Sequence, residues 1–139
     1  MNFYFIYPYF ESFTFVHTIN IMLYRSNKIY VEDSSIHGRG VFCSETIKQG
    51  EIIEECHFFI VPRELEYPKI LHDHFFSWPK KGEGLCICLG FGSIFNHSDK
   101  EFNADWETDT QKNKIIFFAL REISIGEEIF TNYQKPGNI

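Results

Sequence analysis

The sequence predicts a mostly β domain built from many short strands with little helix, and three observations carry that reading. Of its 139 residues 18% are aromatic, with 16 Phe and 7 Tyr, and such residues suit a pleated, half-buried surface. No stretch repeats its apolar residues at helical spacing for long enough to build an amphipathic helix. Turn residues punctuate the chain at short intervals, among them Gly38, Gly40, Gly50, Pro62, Pro68, Pro79 and Gly126, so the apolar runs between them have strand length. The hydrophobic share of 44% is that of a globular chain with one core and one domain. The formal net charge of -6 argues against nucleic-acid binding, because phosphate affinity comes from clustered Lys and Arg. An acidic surface suits a basic peptide instead.

Residues 1–23 stand apart as an aromatic extension ahead of a domain at 24–139. Pro8, Glu11, His17 and Asn20 interrupt any membrane span, which needs about 20 mostly apolar residues. No Lys or Arg precedes Arg25, so the basic start of a signal peptide is missing. Three readings stay open for the extension: an added edge element, a partner-binding arm, or an upstream reading-frame extension with Met22 as the native start. The last is preferred.

Within the domain, residues 28–32 (Lys-Ile-Tyr-Val-Glu) alternate as a short strand. Turn chemistry follows at 33–40, and Val41-Phe42 opens a second strand. Residues 46–53 read as strand, Lys-Gln-Gly-Glu turn, strand, and the apolar run at 51–60 reads as one long strand ended by Pro62. Residues 63–67 suit one helical turn before Pro68. Residues 72–78 read as strand or loop bounded by Pro79, and 80–84 as a turn. Residues 85–89 form a buried strand, 108–114 a turn, and 115–120 the most apolar strand of all. Residues 121–129 repeat the strand-turn-strand wording of 46–53, and 130–133 finish the ordered part.

Cys43, Cys56, Cys86 and Cys88 lack the spacing of a metal site. They read as thiols of a reduced core, with Cys86 and Cys88 on one strand face, which points to a reducing, intracellular compartment. His72 and His74 flank Asp73, but no third ligand is spaced to match, so no metal is expected.

One stretch has the makings of a small-molecule site. In Leu89-Gly90-Phe91-Gly92-Ser93-Ile94-Phe95-Asn96-His97-Ser98, two glycines loosen the backbone, Ile94-Phe95 anchors it, and Asn-His-Ser presents polar groups at a fixed place. Together with Gly38-Arg39-Gly40-Val41-Phe42, Gly50-Glu51-Ile52-Ile53-Glu54, Asn103, residues 117–123, and Gly126-Glu127-Glu128-Ile129 through Tyr133, it makes a series whose order resembles the SET-domain protein lysine methyltransferases. The compact form is similar to minimal viral SET proteins.

The resemblance implies several small β-sheets around a C-terminal pseudoknot, with the Asn-His-Ser segment passing beside the Tyr segment. It implies a lysine N-methyltransferase acting on a histone or another basic protein tail, in the nucleus where the substrate is chromatin, with no direct nucleic-acid or membrane contact. Matched residue by residue, Gly38, Arg39 and Gly40 would line S-adenosylmethionine, Asn96 and His97 would hold it, and Tyr133 would be the catalytic tyrosine. Asn103 matches a structural or cofactor-side asparagine, after Phe102 in place of the usual proline. Phe91, Trp106, Phe118 and Phe130 are the candidates for an aromatic substrate channel. Family members often complete that channel with a Cys-rich zinc segment after the tyrosine. No cysteine follows Tyr133 here, so the aromatic extension, a second subunit or the peptide would close the channel, with a homodimer preferred. The alternative from another class is a catalytically weak SET-fold module that binds peptide or cofactor without turnover.

Overall fold

A computed structural model describes residues 23–79 and 83–133. Residues 1–22, which hold nearly all of the aromatic extension, and 80–82, in the expected turn, lie outside the described residues. So do 134–139. The described chain folds as ten short strands in four small sheets, joined by two 3₁₀ turns. This is the mostly β class that the composition predicts.

Strands β1 (Ile29–Asp33) and β2 (Arg39–Cys43) pair antiparallel, Ile29 opposite Cys43 and Asp33 opposite Arg39. Ser34 organises the loop between them. Its N–H donates to the Gly38 carbonyl at 2.8 Å, and its hydroxyl accepts the Ile36 N–H at 3.0 Å.

The run at 51–60 is two strands rather than one. Strand β3 (Ile52–Cys56) carries a register irregularity between Ile52 and Glu54, so Ile53 and Glu54 are both buried. A bulge of this kind bends the strand, and after His57 the chain changes sheets. Strand β4 (Phe58–Val61) pairs with β6 (Leu85–Cys88), which also pairs with β5 (Phe75–Ser77). Phe59 and Ile60 on β4 are exposed, at 64% and 68%.

The helical turn expected at 63–67 lies instead at Lys69–His74, after Pro68. Proline suits the entry to a helical segment because its missing N–H is not needed there; the Pro68 carbonyl accepts the Leu71 N–H at 2.9 Å. His72 and His74 therefore sit on a 3₁₀ turn and share no strand face. No cluster of three metal-ligating side chains occurs among the described residues.

Strands β8 (Ala104–Asp109) and β9 (Lys114–Ala119) form a hairpin tighter than expected, because Thr108 and Asp109 already pair with Ile115 and Lys114. The Asp109 carboxylate caps the turn by accepting the Gln111 and Lys112 N–H groups at 3.1 and 3.0 Å. β9 lies between β3 and β8, so both its edges are paired, and Ile115, Phe117 and Ala119 fill the core. That placement explains why it is the most apolar run in the chain. Cys43, Cys56, Cys86 and Cys88 are all buried and unbridged. Burial pushes Cys43 up to about 11 and Cys86 up to about 12, the condition of inert core thiols.

The two segments of like wording meet each other. Ile47 and Ile123 exchange backbone hydrogen bonds at 3.0 and 2.9 Å, and each segment turns at a glycine of positive φ, +78° at Gly50 and +77° at Gly126. Beyond the second turn, β7 (Asn96–His97) and β10 (Phe130–Thr131) lie parallel, Asn96 beside Phe130 and His97 beside Thr131. Two residues are a short ladder, and Asn103 reinforces it. Asn103 is fully buried; its Nδ2 donates to Glu127 Oε1 at 3.1 Å and to the Glu128 carbonyl at 2.8 Å. Its Oδ1 accepts the Phe130 N–H at 2.9 Å. Asn103 thus serves the structure of the crossing.

Asn103→Ala takes the side-chain partner from the buried Glu128 carbonyl and from the Phe130 N–H, so unfolding in urea is expected to show a loss of about 2 to 3 kcal/mol at unchanged m-value. An unaltered midpoint would show that the crossing does not depend on this amide.

Candidate functional site

Three of the segments singled out in the sequence, around Gly38, Asn96 and Tyr133, converge on one cavity of about 710 Å³. Its first wall is the loop after β1, through Ile36, His37 and Arg39. Gly38 lies between the last two at φ +52°. The second wall is the approach to β7, through Ser93, Ile94, Asn96 and His97, and Tyr133 closes the far side just beyond β10. The third wall comes from the 3₁₀ turn, through Lys69, Ile70, Asp73 and His74. In the sequence His74 and Asp73 stand out only as metal-ligand types, and Lys69 and Ile70 do not stand out at all. No spacing signal marks that turn, because its residues reach the cavity only through the placement of two sheets.

Asn96 is 8% exposed and its amide orientation is unambiguous. Nδ2 lies 3.1 Å from the His37 carbonyl, 3.1 Å from the Arg39 carbonyl and 2.8 Å from Glu128 Oε1. Three acceptors around one end identify it as the NH₂ end. Oδ1 is left as the end that can meet a ligand. Gly40 is buried where this cluster passes. A Cβ there would lie 2.1 Å from Glu128 Oε1 and 3.2 Å from Asn96 Nδ2, so only glycine permits the approach. Gly38 and Gly40 thus shape the wall while His37 and Arg39 face the cavity. The Arg39 guanidinium pairs with Asp33 on the surface at 3.2 Å.

His97 and Tyr133 hold each other. The Tyr133 N–H donates to His97 Nδ1 at 3.1 Å, and their rings lie 5.1 Å apart. The Tyr133 hydroxyl donates to the Phe95 carbonyl at 2.6 Å. Its proton is therefore committed to the protein, and the phenol oxygen is left as an acceptor. Burial, and then the negative charge of Asp73, push Tyr133 up to about 12. Across the cavity His74 Nδ1 lies 3.0 Å from the Ser93 carbonyl, so Nδ1 carries the proton.

The turn that leads into this stretch is braced from behind. Glu54 Oε1 accepts the Phe91 N–H at 3.2 Å, and the Arg25 guanidinium lies 4.6 Å above the Phe91 ring. Phe91 therefore faces away from the cavity. The other channel candidates also stand apart from it. Trp106 is a core residue, edge-on to Phe76 at 5.2 Å. Phe118 sits on β9 opposite Ile52 and Asp105. Phe130 borders a separate hollow beside Lys100 and Arg121. Aromatic identity alone does not separate a wall of this cavity from a core filler such as Trp106 or from a half-buried ring such as Phe130.

Comparison with known proteins agrees with this arrangement. The SET domain family model matches residues 38–134. Over 108 residues the chain is 34% identical to a Schizosaccharomyces pombe histone-lysine N-methyltransferase specific for lysine 37 of H3, a match covering 74% of this chain and 71% of that protein. A Plasmodium falciparum crystal structure assigned as a histone methyltransferase superposes with a TM-score of 0.64 at 34% identity, covering 80% of this chain and 96% of that one. The chain belongs to the SET domain family. Its activity is that of a lysine methyltransferase.

Because burial pushes the folded phenol of Tyr133 up to about 12 from an ordinary 10.0, its stabilising contribution is full below pH 10 and is lost as pH rises through 12. Urea unfolding of Tyr133→Phe is expected to lose stability less steeply with pH between 10 and 12 than the parent chain. Identical slopes would place Tyr133 in water.

Proposed function

We propose that the chain methylates a lysine of a histone or another basic protein tail, with S-adenosylmethionine as donor. The observation that carries this reading is the meeting of residues 37–39, Asn96, His97 and Tyr133 around one cavity. Its volume falls within the roughly 300–1,000 Å³ usual for small-molecule sites.

The lining suits the donor's chemistry. Lys69 complements a carboxylate, Asp73 and the Asn96 oxygen complement an ammonium, and Ile36, Ile70 and Ile94 offer apolar surface to a purine. When bound, S-adenosylmethionine supplies an electrophilic methyl group on a sulfonium.

The protein's own part is to present an uncharged amine. Free lysine has a pKa of about 10.4, so only about one in a thousand is neutral near pH 7.4. Desolvation of the amine and a positive charge beside it both disfavour the ammonium form, and no dedicated base is then required. Tyr133 fits the orienting role because its hydroxyl proton is held by Phe95, leaving oxygen lone pairs to receive an N–H. Alignment of this kind lowers a barrier without new covalent chemistry. The net charge of -6 favours a basic tail, and histone H3 is the first substrate to try because the fission-yeast relative acts on it. Four unbridged thiols support a reducing compartment, nuclear where the substrate is a histone.

Incubation with S-adenosylmethionine and a mixed set of histone peptides, read by mass spectrometry, is expected to show methyl added to lysine. Tyr133→Phe is expected to lower turnover roughly 100-fold while donor binding is kept. Wild-type turnover in that variant would remove Tyr133 from the mechanism. For Asn96→Ala, calorimetry is expected to show donor affinity weakened about 10- to 100-fold, because a buried polar contact goes unmade. Equal affinity would contradict its assignment.

A further inference from the structure

We infer that Glu128 is the positioning residue of the donor site, one carboxylate that sets both walls of the cavity at once. The inference rests on the donor reading above and concerns a residue that touches no ligand. Glu128 is 8% exposed. Oε1 accepts the Asn96 amide at 2.8 Å, and Oε2 accepts the Ser34 hydroxyl at 2.9 Å. The two partners belong to opposite walls. Asn96 stands in the cavity itself. Ser34 accepts the Ile36 and His37 N–H groups at 3.0 and 3.4 Å, and those two residues line the other side.

Charge and shape both suit a positioning role. The carboxylate is acceptor-only, so it can take an N–H from one wall and an O–H from the other together. A neutral amide has one donor end and one acceptor end, and it must turn its donor end toward Asn96 Nδ2 or toward Ser34 Oγ. Facing Asn96, it opposes an NH₂ group already committed as donor. Facing Ser34, it brings a third donor to a hydroxyl oxygen that already accepts the Ile36 and His37 N–H groups. Gly40 shows how closely the carboxylate is seated, since any side chain there would collide with Oε1. Neighbouring Glu127 gives the contrast. It faces Arg121, Asn103 and the Ser124 N–H, away from the cavity, and serves the crossing alone.

The test measures binding of S-adenosylhomocysteine by calorimetry, with thermal unfolding of the free protein alongside. E128Q is expected to bind about tenfold more weakly, with KM for S-adenosylmethionine raised to match and kcat at saturating donor within about twofold of wild type. In an Asn96→Ala background the same substitution is expected to cost about threefold or less, because its effect passes through the amide. Unchanged affinity in E128Q, or a full tenfold loss in both backgrounds, overturns the proposal. Should E128Q fail to fold, Ser34→Ala reads the carboxylate from its other arm. A loss of about two- to fivefold supports the proposal, and unchanged affinity overturns it. Wild-type protein that binds no S-adenosylhomocysteine overturns the donor reading, and this proposal with it.

Discussion

The fold depends on the crossing of its final described strand with the segment that carries Asn96. Residues 128–133 bind three other parts of the chain simultaneously. The Ile129 N–H donates to Val41 at 2.7 Å, Phe130 and Thr131 run beside Asn96 and His97, and Asn103 closes the side with bonds to Phe130. None of these contacts is extensive. A two-residue parallel ladder is weak in isolation, and a strand pair of that length would not survive in water by itself. It persists because Asn103 and Ser98 bond to its backbone from the side and because Phe95, Ile123 and Ile129 are buried. The site inherits this arrangement. Tyr133 is where it is because Thr131 and the Phe95 carbonyl hold the strand in register.

Two buried carboxylates work as struts around the same loop system. Glu128 spans the cavity walls, and Glu54 holds the Phe91 turn from the opposite side. Glu54 carries an unpartnered Oε2, and its burial holds the group above the ordinary carboxylate range. The desolvation of such groups costs stability. In return, short loops built from glycine and small polar residues take a single geometry where a ligand can meet them.

Much of this was legible from the residues. Aromatic richness and turn spacing indicated the class. The two Gly-Glu turns were recognised as alike, and they proved to pair with each other through Ile47 and Ile123. Gly38 to Gly40, the Asn-His-Ser triplet and Tyr133 were recognised as an ordered set, and they meet in space. The misses have a common physical origin. Residues 51–60 look like one strand by composition, yet the irregularity at Ile53 and the sheet change at His57 are tertiary events with no local marker. The turn at Lys69–His74 forms one wall of the cavity, but its residues carry no motif. Phe91, Trp106, Phe118 and Phe130 are rings near the motifs in sequence, and none of them lines this cavity. Glu128 was visible only as a letter in a motif, because what it joins lies up to 94 residues away.

That last separation bears on how the molecule is made. Both walls lean on a segment that the ribosome delivers after them, by 94 residues for Ser34 and 32 for Asn96. Non-local pairing of this kind is slow to form, because loop entropy must be overcome before the contacts reward it. A nascent chain that has emerged only as far as Asn103 therefore holds an unfinished pocket, and both of these walls are completed when residues 128–133 dock against them.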